Sequence, residues 1–74
     1  WNTINMSMKV FSDLYHTFQH ENRKSEVWKD EYGNWGCRYW EGNVWKFDEI
    51  YKGHSEVYAE SAAENWVMGI KNAG

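Results

Sequence analysis

Ser25–Tyr51, SEVWKDEYGNWGCRYWEGNVWKFDEIY, reads as three β-strands in a row. It holds four of the six tryptophans, Trp28, Trp35, Trp40 and Trp45, with Tyr32, Tyr39, Phe47 and Tyr51 among them. Aromatic and β-branched residues suit a pleated, half-buried surface. Gly33-Asn34 and Glu41-Gly42-Asn43 divide the stretch, and both carry residues that tolerate the positive φ of tight turns. The expected strands are Glu26–Tyr32, Trp35–Glu41 and Val44–Asp48. Alternation along them allows a buried face of Trp28, Tyr32, Cys37, Tyr39, Trp45 and Phe47. The other face then carries Lys29, Glu31, Arg38, Lys46 and Asp48, with Trp40 among these charges. After Asp48 the alternation fails, because Ile50 and Tyr51 are both apolar, and a bend or bulge is expected near Glu49.

Outward from this stretch, the periodicity changes. Val10, Phe11, Leu14, Tyr15 and Phe18 form one stripe of a 3.6-residue helix, so Ser7–His20 is expected to be helical, with Ser7 as its N-cap. Glu21–Lys24 is a polar connector. On the far side, Lys52-Gly53-His54 breaks the pattern and Ser55 caps a second helix expected to run to about Lys71. Its apolar stripe is Tyr58, Ala59, Ala62, Ala63, Trp66, Val67 and Ile70, with Trp66 as the largest anchor. Its wet face is Glu60, Ser61, Glu64 and Asn65. The expected fold is α+β, in the order α-β-β-β-α: a three-stranded antiparallel meander with two helices packed on one face. Residues 1–74 are expected to form one small domain, with residues 1–6 an N-terminal segment outside the expected elements.

A chain of 74 residues buries a small core. Its aromatic content of 19% offsets this, since each ring buries a large area. Cys37 is the only cysteine, which excludes an internal disulfide and fits a reducing, cytoplasmic setting. No apolar run approaches the roughly 20 residues of a membrane span, and the start of the chain lacks a basic-then-apolar signal pattern. The formal charge is −3, which argues against a surface built to grip phosphates.

Gly53-His54-Ser55 followed by Ala59, Ala62 and Ala63 resembles the start of the second helix of the double-stranded-RNA-binding domain, whose element order is also the one expected here. The residue match is confined to Gly53–Ala63. That family places phosphate-gripping lysines at positions occupied here by Glu56, Val57 and Glu60. Two carboxylates there would repel a phosphate backbone, so the resemblance implies the architecture and none of the RNA-binding residues.

His16 and His20 stand four apart, with Glu21 and His54 as the available further metal ligands. Paired cysteines or a His-Glu-x-x-His pattern are lacking, so the histidines read as solvated and no metal or cofactor is expected. Cys37 alternates with Trp35 and Tyr39 on the core face, which suits a small apolar side chain better than a nucleophile. Glu56, Glu60 and Glu64 read as the solvated face of a helix. Trp40, beside Arg38, has the composition of an interaction hot spot, and Lys29 and Lys46 complete the candidate surface. The expected function is that of a small non-enzymatic accessory or regulatory protein, of a kind common among phage-encoded chains. It would bind another protein or a second copy of itself through Trp40 and one sheet edge. The alternatives are a nucleic-acid-binding module using Lys24, Lys29, Arg38 and Lys46, and, last, a small enzyme.

Overall fold

The computed structural model describes residues 11–71. Within them the order is β1 (Phe11–His20), β2 (Arg23–Asp30), β3 (Trp35–Glu41), β4 (Val44–Tyr51) and α1 (Glu56–Val67). The strands form one antiparallel sheet in sequence order, and α1 lies over β2 with β1 and β3 at its flanks. This corrects the α-β-β-β-α expectation: there are four strands and one helix in the described residues, and the order is β-β-β-β-α. The order implied by the resemblance to the double-stranded-RNA-binding domain falls with it.

The first expected helix is a strand from Phe11 onward; Ser7–Val10 lie outside the described residues. Its apolar residues do not share one face. Ser12 and Tyr15 are each an extra residue against β2, so Phe11 pairs with Asp30 but Asp13 with Lys29, and Leu14 with Trp28 but His16 with Val27. With these extra residues Phe11 and Leu14 share the face of Trp28 while Phe18 pairs with Ser25 and packs on the core, so the spacing of the apolar residues follows no period of two. The expected connector Glu21–Lys24 shrinks to a turn at Glu21-Asn22, with Glu21 at φ 52°, and β2 begins at Arg23. β2 also ends earlier than expected. Asp30, not Tyr32, closes it, because the Asp30 carboxylate accepts the Tyr32 and Asn34 backbone N–H groups at 2.9 and 2.7 Å.

The face assignment changes accordingly. Val27 and Ser25 of β2 join Cys37 and Tyr39 of β3 beneath α1, while Trp28 pairs with Gly36 and faces away. Tyr32 is exposed in the loop and Trp45 is exposed on β4, so neither enters the core. β4 runs on to Tyr51, and its irregularity is at Lys46, which is extra between the pairs Trp40–Trp45 and Tyr39–Phe47, not near Glu49. That one residue moves Trp45 off the face of Phe47.

Ser55 caps α1, its hydroxyl accepting the Tyr58 N–H. Trp66 is the central anchor, packed against Tyr39 and Phe47 with ring centroids 5.2 and 5.7 Å away. Ala59 and Ala63 let the helix approach so closely that Cys37 and Ser25 donate to their carbonyls. The helix ends at Val67 rather than Lys71, because Gly69 adopts φ +82° and closes a Schellman turn: its N–H reaches Trp66 O, and Ile70 N–H reaches Asn65 O. Arg23 completes that end by donating to the Trp66 and Lys71 carbonyls while lying 4.2 Å over the Trp66 ring. Tyr58 and Ile70, expected in the stripe, are exposed.

Candidate functional site

The sheet face opposite α1 is built by strand alternation. β2 sends Lys24, Glu26 and Trp28 to it, β3 sends Gly36, Arg38 and Trp40, and β4 sends Trp45 and Asp48. Arg38 is only 2% exposed, and its guanidinium makes two parallel bonds to the Asp48 carboxylate at 3.0 Å each. Phe11 and Trp28 lie over the guanidinium at 5.2 and 5.4 Å. Gly36 makes room for Phe11: a Cβ there would stand 2.8 Å from the ring and 2.6 Å from the Glu49 carbonyl oxygen.

Around this buried pair the tryptophans are fixed by their indole N–H groups. Glu26 Oε1 accepts from both Trp28 and Trp40, at 3.2 and 3.1 Å, and Asp48 Oδ1 accepts from Trp45 at 2.7 Å. The Lys24 ammonium sits 4.7 Å over the Trp40 ring. The indoles are tethered by these bonds, while Trp28 and Trp40 stay half-buried and Trp45 is 42% exposed.

Of the surface residues expected from sequence, Trp40 and Arg38 come together on this face. Arg38 is beneath it, its donors to Asp48 already engaged. Lys29 lies on the helix side, 5.0 Å over Trp35, and Lys46 projects from the bulge of β4. Trp28 and Trp45 were missed because both were assigned to the core. The signal for Trp45 is the turn: Gly42 and Asn43 both have positive φ, a two-residue hairpin that brings Trp45 opposite Trp40.

The histidines part company. His20 stands 3.7 Å from Glu21, and His54 stacks on Tyr58 with centroids 3.8 Å apart. His16 instead meets the helix: its Nε2 is 3.0 Å from Glu56 Oε2 and 2.8 Å from Glu60 Oε2. Cys37 is fully buried and donates to Ala59 O at 3.1 Å, and burial pushes its thiol up to about 11, which keeps it protonated and unreactive. On the far flank of α1, Tyr51, Tyr58, Ala62 and Ile70 line an open groove. The Tyr51 hydroxyl there is committed to Tyr39 and Glu49, and burial raises its pKa further from any catalytic range. No helix in the described residues is long and apolar enough to cross a membrane. Comparison with family models, curated proteins and solved structures gives no match.

Proposed function

We propose that the protein is a non-enzymatic binding protein whose partner docks on the sheet face opposite α1, and that a second copy of the chain is that partner. The observation that carries this reading is the row of Trp28, Trp40 and Trp45, partly exposed yet pinned through Glu26 and Asp48. Rings with little rotamer freedom left to lose are the kind that act as interface anchors. The face carries charges of both signs, with Lys24 beside Glu26 and Arg38 paired with Asp48. A two-fold related copy of it therefore meets no net excess of like charge.

The outer strands are less suited to edge pairing than the sequence suggests. Their bulges at Ser12, Tyr15 and Lys46 interrupt the regular ladder that a docking strand would need. The face, not the edge, is the proposed contact. Nucleic acid is the weaker reading, because Arg38 is engaged by Asp48 and Lys29 lies on the opposite side of the sheet.

Sedimentation equilibrium over a dilution series tests this. The reading expects a dimer at tens of micromolar (a rough range for moderate affinity). Trp45→Ala should weaken it by about 2 kcal/mol or more while far-UV circular dichroism stays unchanged. A monomeric mass at every concentration defeats it.

A further inference from the structure

We propose that His16, Glu56 and Glu60 form a site for one divalent transition-metal cation, Zn²⁺ or Co²⁺ by donor chemistry. The three ligand atoms come from two elements and lie within 4.8 Å of one another. The bulge at Tyr15 makes this possible. It sets Leu14 opposite Trp28 and His16 opposite Val27, so that His16 points to the helix side of the sheet. Glu56 and Glu60 stand one turn apart on α1 and reach the same imidazole nitrogen.

The ligand atoms are close enough for a small shift to admit a shared cation. Tetrahedral bonds of about 2.0–2.2 Å to nitrogen and oxygen place neighbouring ligands about 3.3–3.6 Å apart, and Nε2, 3.0 and 2.8 Å from the two carboxylate oxygens, reaches that spacing with a side-chain shift of roughly half an ångström. Hydrogen bonding alone satisfies the cluster poorly. One ring nitrogen carries at most one proton, yet two carboxylates converge on it. Among the described residues, the ion pairs of Glu56 and Glu60 are to His16 alone, so even an imidazolium leaves one negative charge uncompensated. A dication would neutralise both carboxylates and take the imidazole lone pair. An imidazole donor favours zinc and cobalt over calcium and magnesium. Side-chain exposures of 46%, 36% and 32% leave the outer side of the site open to water ligands. Bound there, the metal would tie the outer strand β1 to α1.

The test is calorimetric titration of the chelator-treated full chain with Zn²⁺, with Co²⁺ absorption as a second readout. The expected result is one cation per chain, a rise in melting temperature, and Co²⁺ d–d bands distinct from those of the aqueous ion. His16→Ala and Glu60→Gln should each weaken binding at least about tenfold, the scale on which even supporting residues act. His54→Ala should leave it unchanged. Glu60→Gln preserves shape, so folding, checked by circular dichroism, is separable from ligation. Absence of stoichiometric binding, an unchanged affinity in folded Glu60→Gln, or displacement of Zn²⁺ by an equal concentration of Ca²⁺ would each overturn the assignment. Absence of binding would leave His16 as an ion-pair partner only.

Discussion

Asp30 shows how much one side chain can decide. Its carboxylate accepts three hydrogen bonds, from the Tyr32 and Asn34 backbone N–H groups and the Asn34 side-chain amide. Burial pushes its pKa up, but these bonds outweigh it and hold the group below its ordinary value. The folded state therefore binds fewer protons than the unfolded chain in that window. The contribution is fully present above the unfolded carboxylate pKa of about 3.9 and is lost as pH falls through the lower folded value. Asp30→Ala should cost about 1–3 kcal/mol at neutral pH. It should also flatten the acid limb of a urea-midpoint profile below about pH 4; an acid limb as steep as the parent's would show that the stabilisation lies elsewhere. The turn itself was legible from Gly33-Asn34. The role of Asp30 was not, because in simple alternation it stands between Trp28 and Tyr32 as one more strand residue.

At the scale of elements, Arg38 and Asp48 join β3 to β4 across the outer face. Removing one partner strands a buried charge, so Asp48→Ala should cost about 3–5 kcal/mol. Pairing it with Arg38→Met should recover much of that loss, and a denaturant double-mutant cycle measures the recovery. The helix depends on Trp66 in the same way: Trp66→Ala should cost about 3–5 kcal/mol, and a thermal melt that barely moves would contradict the packing against Tyr39 and Phe47. α1, β3 and the Gly42-Asn43 turn could be read in the sequence because cap, alternation and turn residues agree there. β1 could not. Its two bulges put Phe11 and Leu14 on one face and Phe18 on the other, so its apolar residues show no period of two and their spacing reads locally as helical. The same reason hid Trp45, displaced by Lys46, and His16, turned toward Glu56 and Glu60 from another part of the chain.

For the whole molecule, the helix settles which sheet face is core and leaves the other uncovered by it. α1 covers the side of Val27, Cys37 and Tyr39. The opposite side holds Trp28, Trp40 and Trp45 with their N–H groups committed to carboxylates. If that face is the dimer contact, these three indoles feel association while the buried indole of Trp66, bonded to the Trp40 carbonyl beneath the helix, serves as the internal reference. The most direct measurement is therefore a dilution series of indole ¹H–¹⁵N spectra. The account predicts that the Trp28, Trp40 and Trp45 signals move together on one dissociation curve while Trp66 stays fixed. Concentration-independent signals for all four, or movement confined to residues on the helix side, would contradict it.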